Sequence, residues 1–313
     1  MAGAILAPMK TILFVKTSSL GDVVHNAPAV SDAARALPGA AIDWVVEEPF
    51  AAIAAMHRSV RRVIPVALRR WRSVLWKPSV WEEIGVWRAA LRAERYDAVI
   101  DTQSLFKSAL VSRAASGTRH GLDRASAREW FAPGLYDVRH AVPRGLHAVE
   151  RNRLLAAAAL RYQVNHSPDY GLRIPGVEKS GYVVLLTMTS RADKLWPEER
   201  WVQLGRGLRA PAILPWGSSE ERERAERISA AIGGTVPPRR NLEELARLFA
   251  AARGVVGLDT GLTHLAAALG VPTVGIYCGS DPALTGLYGA AEARNVGAQG
   301  RVPSVDEVLR LLA

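Results

Sequence analysis

The stretch TILFVKTSSLGD, Thr11–Asp22, decides the fold class. Its first half, Thr11–Lys16, is an apolar run of strand length, and its second half is a turn containing Ser and Gly. Apolar residues then recur at helical spacing over Ala27–Leu37, where Pro38-Gly39 ends the pattern. A buried strand that leads through a short turn into a helix is the repeating unit of a parallel α/β sheet.

The same alternation recurs along the chain in two blocks. In the first block, strands are predicted at Ile42–Glu47, Arg62–Val66 and Ala98–Asp101, and helices at Phe50–Met56 and Trp81–Arg95. In the second block, the predicted strands are Tyr182–Thr187, Ala212–Trp216, Gly254–Leu258 and Thr273–Tyr277. Its helices are predicted from Pro197 and at Glu220–Ile232, Leu242–Ala251, Thr263–Leu269 and Ser304–Leu312. Pro65 places the strand Arg62–Val66 near a sheet edge.

The pattern loosens between Arg144 and Pro175, which indicates a domain boundary. The sequence therefore predicts an α/β protein of two Rossmann-like, doubly wound domains that face each other across a cleft. The N-terminal domain is expected over 9–170 and the C-terminal domain over 171–300. A C-terminal helix within 301–313 could pack back toward the N-terminal domain. Residues 1–8 are expected to precede the fold and not to act as a signal peptide.

Composition narrows the function classes. The chain has 40 Lys and Arg against 30 Asp and Glu, and its formal net charge is +10. Such a surface favours polyanions, namely nucleic acid, an anionic membrane or a phosphorylated substrate, although an Arg-rich solvated surface explains it equally well. A single cysteine, Cys278, excludes an internal disulfide framework. No apolar run reaches the ~18 residues of a membrane span.

The turn Thr17–Asp22 follows the first strand, where backbone N–H groups can face the crevice beyond the carboxyl end of the sheet. It is neither a dinucleotide-binding glycine motif nor a P-loop. Asp22 stands near the start of the next helix. It is either a general base for an attacking hydroxyl or a helix-capping residue, and its position favours neither interpretation.

Two loops of the second block have the chemistry of a phosphate site. Leu258–His264 (LDTGLTH) ends a strand and opens a helix, whose positive end suits a pyrophosphate. Thr187–Pro197 (TMTSRADKLWP) carries hydroxyls and the cation Lys194, which could neutralise a leaving diphosphate. The alternative for the second loop is an ordinary surface segment that starts the helix at Pro197.

Two further segments carry groups that could bind an anion. The segment Arg69–Arg72 (RRWR) has the guanidinium forks that suit phosphate and carboxylate. After the strand ending at Asp101, Gln103 and Lys107 could face the cleft. Ordinary surface roles explain both segments equally well. No His and carboxylate pair has metal-ligand spacing, so neither a metal nor a cofactor is expected.

The ordered set VKTSSLGDVVHNAPA, IDWVVEE, VIPVALRRWR, YDAVIDTQSLFKSA, DKLWPEERW, LPWGSSEE and LDTGLTHLAAAL resembles the lipopolysaccharide heptosyltransferases of glycosyltransferase family 9. Within the family, VIPVALRRWR and DKLWPEE are more similar to the type I enzymes. The resemblance implies the GT-B fold and an inverting transfer of heptose from ADP-L-glycero-β-D-manno-heptose to Kdo2-lipid A. It also implies a cytoplasmic enzyme that is peripheral to the anionic inner-membrane surface.

The resemblance also assigns roles to residues. Asp22 becomes the general base, and Lys194 the cation on the departing diphosphate. The residues implied to bind the donor are Thr187, Thr189, Ser190, Lys194, Glu221, Asp259, Thr260, Gly261, Leu262, Thr263 and His264. The residues implied to bind the acceptor are Ser18, Ser19, Gly21, Arg69, Arg70, Arg72, Gln103, Lys107 and Arg128. One departure is Ser104, where the family usually has Gly.

Three alternatives to a type I heptosyltransferase remain open from the sequence. A type II heptosyltransferase would use the same donor on an acceptor that already carries heptose. A sugar-nucleotide epimerase with the same fold would form product without an acceptor. A non-enzymatic nucleic-acid-binding protein is suggested by the charge of +10 alone, and no nucleic-acid motif supports it, so nucleic acid is not expected as a partner.

Overall fold

The structure is a computed structural model that describes residues 10–312. The predicted domain start at Met9 and the predicted upstream extension lie outside these residues. The chain divides into two compact units between His166 and Ser167, shortly before the predicted boundary at 170. Among the described residues, no helix combines the length and the apolar character that crossing a bilayer requires.

The N-terminal unit is built on one six-stranded parallel sheet with strand order β3-β2-β1-β4-β5-β6. Its strands are β1 (Thr11–Val15), β2 (Ala41–Glu47), β3 (Val60–Val66), β4 (Arg95–Asp101), β5 (Ser116–Leu122) and β6 (Val138–His140). Its helices are α1 (Leu20–Ala36), α2 (Ala51–Ala55), α3 (Leu68–Ser73), α4 (Pro78–Arg92), α5 (Phe106–Ala114) and α6 (Ala148–Leu160). The edge position predicted for the strand containing Pro65 is confirmed.

Helix α1 begins earlier than the apolar spacing predicts. The predicted start is Ala27, but the helix begins at Leu20 with Ser19 as its N-cap residue. Proline is normally tolerated only in the first turn of a helix. A helix that starts at Ala27 has Pro28 in its first turn, so the sequence favours this later start, whereas Pro28 lies inside the observed helix. The longer helix brings Asp22 into the first helical turn.

The C-terminal unit has a five-stranded parallel sheet with strand order β11-β10-β9-β7-β8. Its strands are β7 (Val183–Leu186), β8 (Ala212–Ile213), β9 (Gly254–Leu258), β10 (Thr273–Tyr277) and β11 (Ala293–Gly297). Its helices are α7 (Glu198–Gly207), α8 (Ser219–Ile232), α9 (Leu242–Ala251), α10 (Gly261–Ala268), α11 (Pro282–Thr285) and α12 (Val305–Leu312). Both units therefore have the predicted parallel α/β architecture.

The core of the C-terminal unit explains the position of its last helix. Trp196 and Trp201 are fully buried, with ring centroids 5.1 Å apart. Helix α12 packs against α7 and β10 of the same unit, and Leu309 occupies the space beside Gly207. A contact of this helix with the N-terminal domain stays a prediction. The apolar face that buries Val308 covers the sheet of its own unit. Cys278 is a free, buried thiol in this core.

Candidate active site

Asp22 lies in the first turn of α1 and is held there by hydrogen bonds to the N-cap residue Ser19. One carboxylate oxygen of Asp22, Oδ2, accepts hydrogen bonds from the backbone N–H of Ser19 at 2.9 Å and from the Ser19 hydroxyl at 3.2 Å. The capping role that the sequence suggests is therefore present. The cap uses Oδ2 only. The other carboxylate oxygen, Oδ1, lies 3.5 Å from a guanidinium nitrogen of Arg128. The side chain remains 28% exposed, so Asp22 can both cap the helix and face a substrate.

Cations surround the Asp22 turn. Lys107, from α5, donates from Nζ to the Ser18 hydroxyl at 2.9 Å. Arg128 is exposed and faces Asp22 from the segment between β5 and β6. Ser19 is exposed and Gly21 partly exposed, whereas Ser18 is buried. The structure thus brings four predicted residues, Ser18, Ser19, Lys107 and Arg128, to Asp22, in a pattern that can bind an anionic group beside a carboxylate.

The side chain of Gln103, which was predicted to bind the acceptor, bonds the turn that leads to Asp22. Its side chain is only 2% exposed and its polar atoms bond the turn. Oε1 accepts from the backbone N–H and the hydroxyl of Thr17, both at 2.7 Å, and Nε2 donates to the Ser18 carbonyl at 2.7 Å. These bonds use the amide oxygen and one N–H of Gln103, and a contact with the acceptor stays a prediction. Gln103 supports the turn that leads to Asp22.

The position of Gln103 depends in turn on Asp101. The buried Asp101 Oδ1 accepts from the backbone N–H groups of Gln103 at 2.9 Å and Ser104 at 3.1 Å, and Oδ2 accepts from the Tyr136 hydroxyl at 2.7 Å. Burial raises the pKa of Asp101, and burial together with the nearby carboxylate raises the pKa of Tyr136. Ser104 has φ = 55°, a left-handed conformation that glycine adopts more easily, so the glycine that the resemblance implies for this position would fit the turn.

Lys16 lies directly before this turn, and the sequence alone predicts no role for it. It is buried, and its Nζ donates to the Thr102 carbonyl at 2.9 Å. Burial lowers its pKa, and the carboxylates of Asp22 and Asp101 act in the opposite direction. A lysine that ends an otherwise apolar strand was the available signal, because burying an ammonium group is costly unless it is compensated.

The predicted arginine cluster of α3 divides into different environments. Arg70 is paired with Glu48 at 3.0 Å and with Glu83 at 2.5 Å, and its pKa is raised by these bonds. Its charge is therefore largely neutralised by its neighbours. Arg69 lies over the Phe50 ring at 5.9 Å, and Arg72 is exposed. Arg69 and Arg72 fit an anion-binding role better than Arg70 does.

In the C-terminal unit, the side chains of Lys194, Ser280 and His264 surround the carboxylate of Asp259. Its Oδ2 lies 2.6 Å from Lys194 Nζ and accepts from the Ser280 hydroxyl at 2.6 Å, while Oδ1 lies 3.4 Å from His264 Nε2. Burial alone would raise the pKa of Asp259, but the hydrogen bonds from His264, Lys194 and Ser280 outweigh it and hold the pKa well below its ordinary value. Asp259 therefore stays ionised and fixes Lys194.

The loop after β7 lies close to Asp259. The Thr189 hydroxyl donates to the Asp259 carbonyl at 3.2 Å. Thr187 is buried at the end of the strand, whereas Ser190 is exposed. A Cβ on Gly279 would lie 2.5 Å from the Asp193 carbonyl oxygen, so the glycine lets the Lys194 turn and the Ser280 loop meet. Ser280 itself was missed, although its place directly after a strand was a usable signal.

Helix α10 begins beside Asp259, with Thr260 as its N-cap residue. Thr260, Gly261 and Leu262 are partly exposed, so the first N–H groups of the helix are accessible to an anion. Thr263 is buried and its hydroxyl donates to the Leu258 carbonyl at 2.6 Å, and His264 is buried beside Asp259. The side chains of Thr263 and His264 therefore hold the loop, and a contact of these two residues with the donor stays a prediction.

Glu221, one of the residues predicted to bind the donor, lies at the start of α8. Its Oε2 accepts from the Gly217 backbone N–H at 2.6 Å. The side chain thereby closes the turn after Trp216, on whose ring the guanidinium of Arg222 lies at 5.4 Å. Over residues 10–312, no group of three or more His, Cys, Asp and Glu side chains is arranged to hold a metal ion.

The family model and the related proteins that match this chain all belong to the heptosyltransferases. The model of glycosyltransferase family 9 (heptosyltransferase) matches residues 85–311. Lipopolysaccharide heptosyltransferase 1 of Escherichia coli K12 is 46% identical over 290 residues, which cover 89% of this chain and 91% of that protein. The protein of the same name from Pseudomonas aeruginosa PAO1 is 47% identical over 294 residues, covering 90% and 82% respectively.

A solved structure agrees with these relatives. The structure of the E. coli heptosyltransferase WaaC with ADP superposes with a TM-score of 0.89 at 42% identity, covering 96% of this chain and 98% of that one. At this coverage the match extends over both parallel sheets. The chain therefore has the GT-B fold and belongs to glycosyltransferase family 9, the heptosyltransferases.

Proposed function

We propose that this heptosyltransferase adds the first L-glycero-D-manno-heptose to Kdo2-lipid A in the lipopolysaccharide inner core, from ADP-L-glycero-β-D-manno-heptose. The observation that carries the proposal is the similarity to proteins named lipopolysaccharide heptosyltransferase 1 over nine-tenths of the chain. The E. coli WaaC structures with ADP and with ADP-2-deoxy-2-fluoro heptose support ADP-heptose as the donor.

The N-terminal unit would activate the acceptor. Asp22 Oδ1 takes the proton from a Kdo hydroxyl as that oxygen attacks the anomeric carbon of the donor. The bond from the anomeric carbon to the diphosphate oxygen breaks on the opposite side, so the anomeric configuration is inverted and ADP leaves. Arg128 and Lys107 supply positive charge beside Asp22, which suits the carboxylates of Kdo and the phosphates of lipid A.

The C-terminal unit would hold the donor. Lys194, fixed by Asp259, is the cation that offsets the charge that develops on the departing diphosphate. The exposed start of α10 binds a phosphate through backbone N–H groups. Because a lysine and a helix terminus supply the positive charge, we propose that the transfer needs neither a metal ion nor a cofactor.

The basic surface fits a cytoplasmic enzyme that is peripheral to the anionic inner face of the membrane. The net charge of +10 favours such a surface, since a well-placed Lys or Arg contributes about 1 kcal/mol to binding an anionic membrane. The same charge is also compatible with nucleic acid. Retention on DNA with a steep dependence on salt concentration, without any transferase activity, would favour that interpretation.

The test is the release of ADP from ADP-heptose in the presence of a chelator, with and without Kdo2-lipid A. We expect release only when the acceptor is present. Release only on a heptosylated acceptor would instead identify a type II enzyme, and conversion of the donor without any acceptor would identify an epimerase. Loss of activity in the chelator that added Mg²⁺ restores would contradict the metal-independent mechanism.

A further inference from the structure

Four large apolar side chains form an exposed group in the N-terminal unit, called here the aromatic patch: Phe106, Leu110, Trp130 and Phe131. They are 42%, 47%, 70% and 43% exposed. The Phe106 and Phe131 ring centroids are 5.3 Å apart, and those of Trp130 and Phe131 are 5.5 Å apart. Contiguous exposed apolar side chains of this kind are more typical of an interaction site than of ordinary protein surface.

Local structure holds the aromatic patch together. The backbone N–H of Phe106 donates to Glu129 Oε2 at 2.5 Å, which ties the start of α5 to the segment that carries Trp130 and Phe131. Phe106, Leu110 and Arg113 follow each other at helical spacing on one face of α5. Arg113 is exposed at the end of this face. The patch is thus a fixed apolar surface with a cation at its border.

The aromatic patch is continuous with the Asp22 turn. Lys107, the neighbour of Phe106, donates to the Ser18 hydroxyl at 2.9 Å. Arg128, two residues before Trp130, lies 3.5 Å from Asp22. A ligand that covers the aromatic rings therefore meets Lys107 and Arg128 next, and then the carboxylate of Asp22.

We infer that the aromatic patch docks on an anionic lipid bilayer, so that an acylated acceptor embedded there presents its sugar to Asp22. Aromatic side chains favour the boundary between acyl chains and headgroups, and neighbouring cations favour anionic headgroups. The patch combines both features within one unit. The inference rests on the proposed function, because an acceptor without acyl chains would give the patch no reason to adjoin the site.

The first test measures co-sedimentation with vesicles of equal parts phosphatidylcholine and phosphatidylglycerol, without donor or acceptor. The variant carries Phe106→Ser, Trp130→Ser and Phe131→Ser, and the control is Val302→Ser, whose side chain is 44% exposed in the C-terminal unit. We expect the triple variant to bind at least about tenfold more weakly and the control to bind like the wild type. Equal binding of the wild type and the triple variant would overturn the inference.

A second measurement separates docking from catalysis. With Kdo2-lipid A in vesicles, we expect the triple variant to raise KM about tenfold or more, in line with its weaker vesicle binding. With the deacylated, water-soluble acceptor, we expect kcat and KM to stay within about twofold of the wild type. An equal loss on both acceptors would overturn the inference, since the patch would then serve the fold or the site itself.

Failure of the proposed function has a different signature. A wild-type protein that transfers heptose to neither acceptor, yet binds vesicles through the patch, would contradict the proposed acceptor and leave the docking surface in place. As a direct probe, Trp130→Phe should remove part of the blue shift of tryptophan emission that vesicles cause. An unchanged blue shift in Trp130→Phe would place Trp130 outside the lipid and overturn the inference.

Discussion

Lys194 and Asp259 form an ion pair of 2.6 Å in which the carboxylate holds the lysine in place. Both side chains are mostly buried, at 17% and 9% exposure. The same oxygen accepts the Ser280 hydroxyl, and the other lies beside His264. Lys194 is therefore a positioned cation, in contrast to a lysine on a surface loop, and its orientation depends on Asp259.

The lowered pKa of Asp259 predicts how stability depends on pH. A carboxyl whose pKa is lower in the folded state stabilises the fold above its ordinary pKa, and this contribution is lost as the pH falls toward the folded value. We expect Asp259→Asn to unfold at lower urea concentration than the wild type at neutral pH. The difference should shrink below about pH 4. The exposed Asp306→Asn is the control, and a difference that grows on acidification would contradict the prediction.

For Lys194→Ala we expect weaker binding of the donor and a lower kcat, because the cation acts on the diphosphate both before and during its departure. A loss of one charge-assisted contact predicts a change of about tenfold or more in donor affinity. Donor affinity is measured by calorimetry with ADP, and kcat by ADP release. Kinetics like those of the wild type would mean that Lys194 only holds Asp259.

Asp22 has two roles that two substitutions separate. Asp22→Asn keeps an oxygen for the Ser19 cap but cannot accept the proton, so we expect kcat to fall about 100-fold or more with little change in donor affinity. Asp22→Ala should lose activity to the same extent and also lose about 1 kcal/mol of unfolding free energy with the cap. If Asp22→Asn retained activity within about tenfold of the wild type, another group would be the base.

Gln103→Ala tests whether this buried side chain supports the turn or binds the acceptor. Its removal leaves the Thr17 N–H, the Thr17 hydroxyl and the Ser18 carbonyl without their partner. We expect the unfolding free energy to fall by about 2–4 kcal/mol and kcat to fall more than acceptor affinity. A higher acceptor KM with unchanged kcat and stability would instead restore the predicted acceptor contact.

Neighbouring arginines of α3 should respond differently to substitution. Arg70 is already bonded to Glu48 and Glu83, whereas Arg72 is exposed. We expect Arg72→Ala to raise the acceptor KM about tenfold and Arg70→Ala to leave it within about threefold. Steady-state kinetics with Kdo2-lipid A measures both. A larger effect at Arg70 would show that the acceptor displaces its two carboxylates.

The sequence predicts the regular parts of the fold well. Strands β9 and β10 and helix α9 have the predicted bounds, because each is a compact apolar or amphipathic run between clear end signals. Helix α6 was missed. It buries residues all around its circumference, including Asn152 and Arg153, and therefore has no apolar periodicity to detect. Strand β5, SGTRHGL, has a single large apolar residue and is held by backbone pairing on both sides.

For the candidate site, the sequence predicts which residues lie near it better than it predicts what each side chain does there. Asp22, Lys194 and Asp259 follow strands in motifs that indicate chemistry, and they lie at the carboxyl ends of the two sheets. Gln103 follows a strand in the same way, but its role depends on the Thr17 turn, which is distant in sequence and adjacent in space. The pairing of Arg70 with Glu48 and Glu83 is likewise hidden in the sequence, because these carboxylates reach it only in the folded chain.

The buried thiol of Cys278 makes this chain convenient for spectroscopy. It is the one cysteine in the sequence, and burial raises its pKa, so the reactive thiolate is scarce. A cysteine introduced at an exposed position would react with a maleimide dye far faster than Cys278. Site-selective labelling therefore needs no cysteine-free background, and the C-terminal core can keep its native residue.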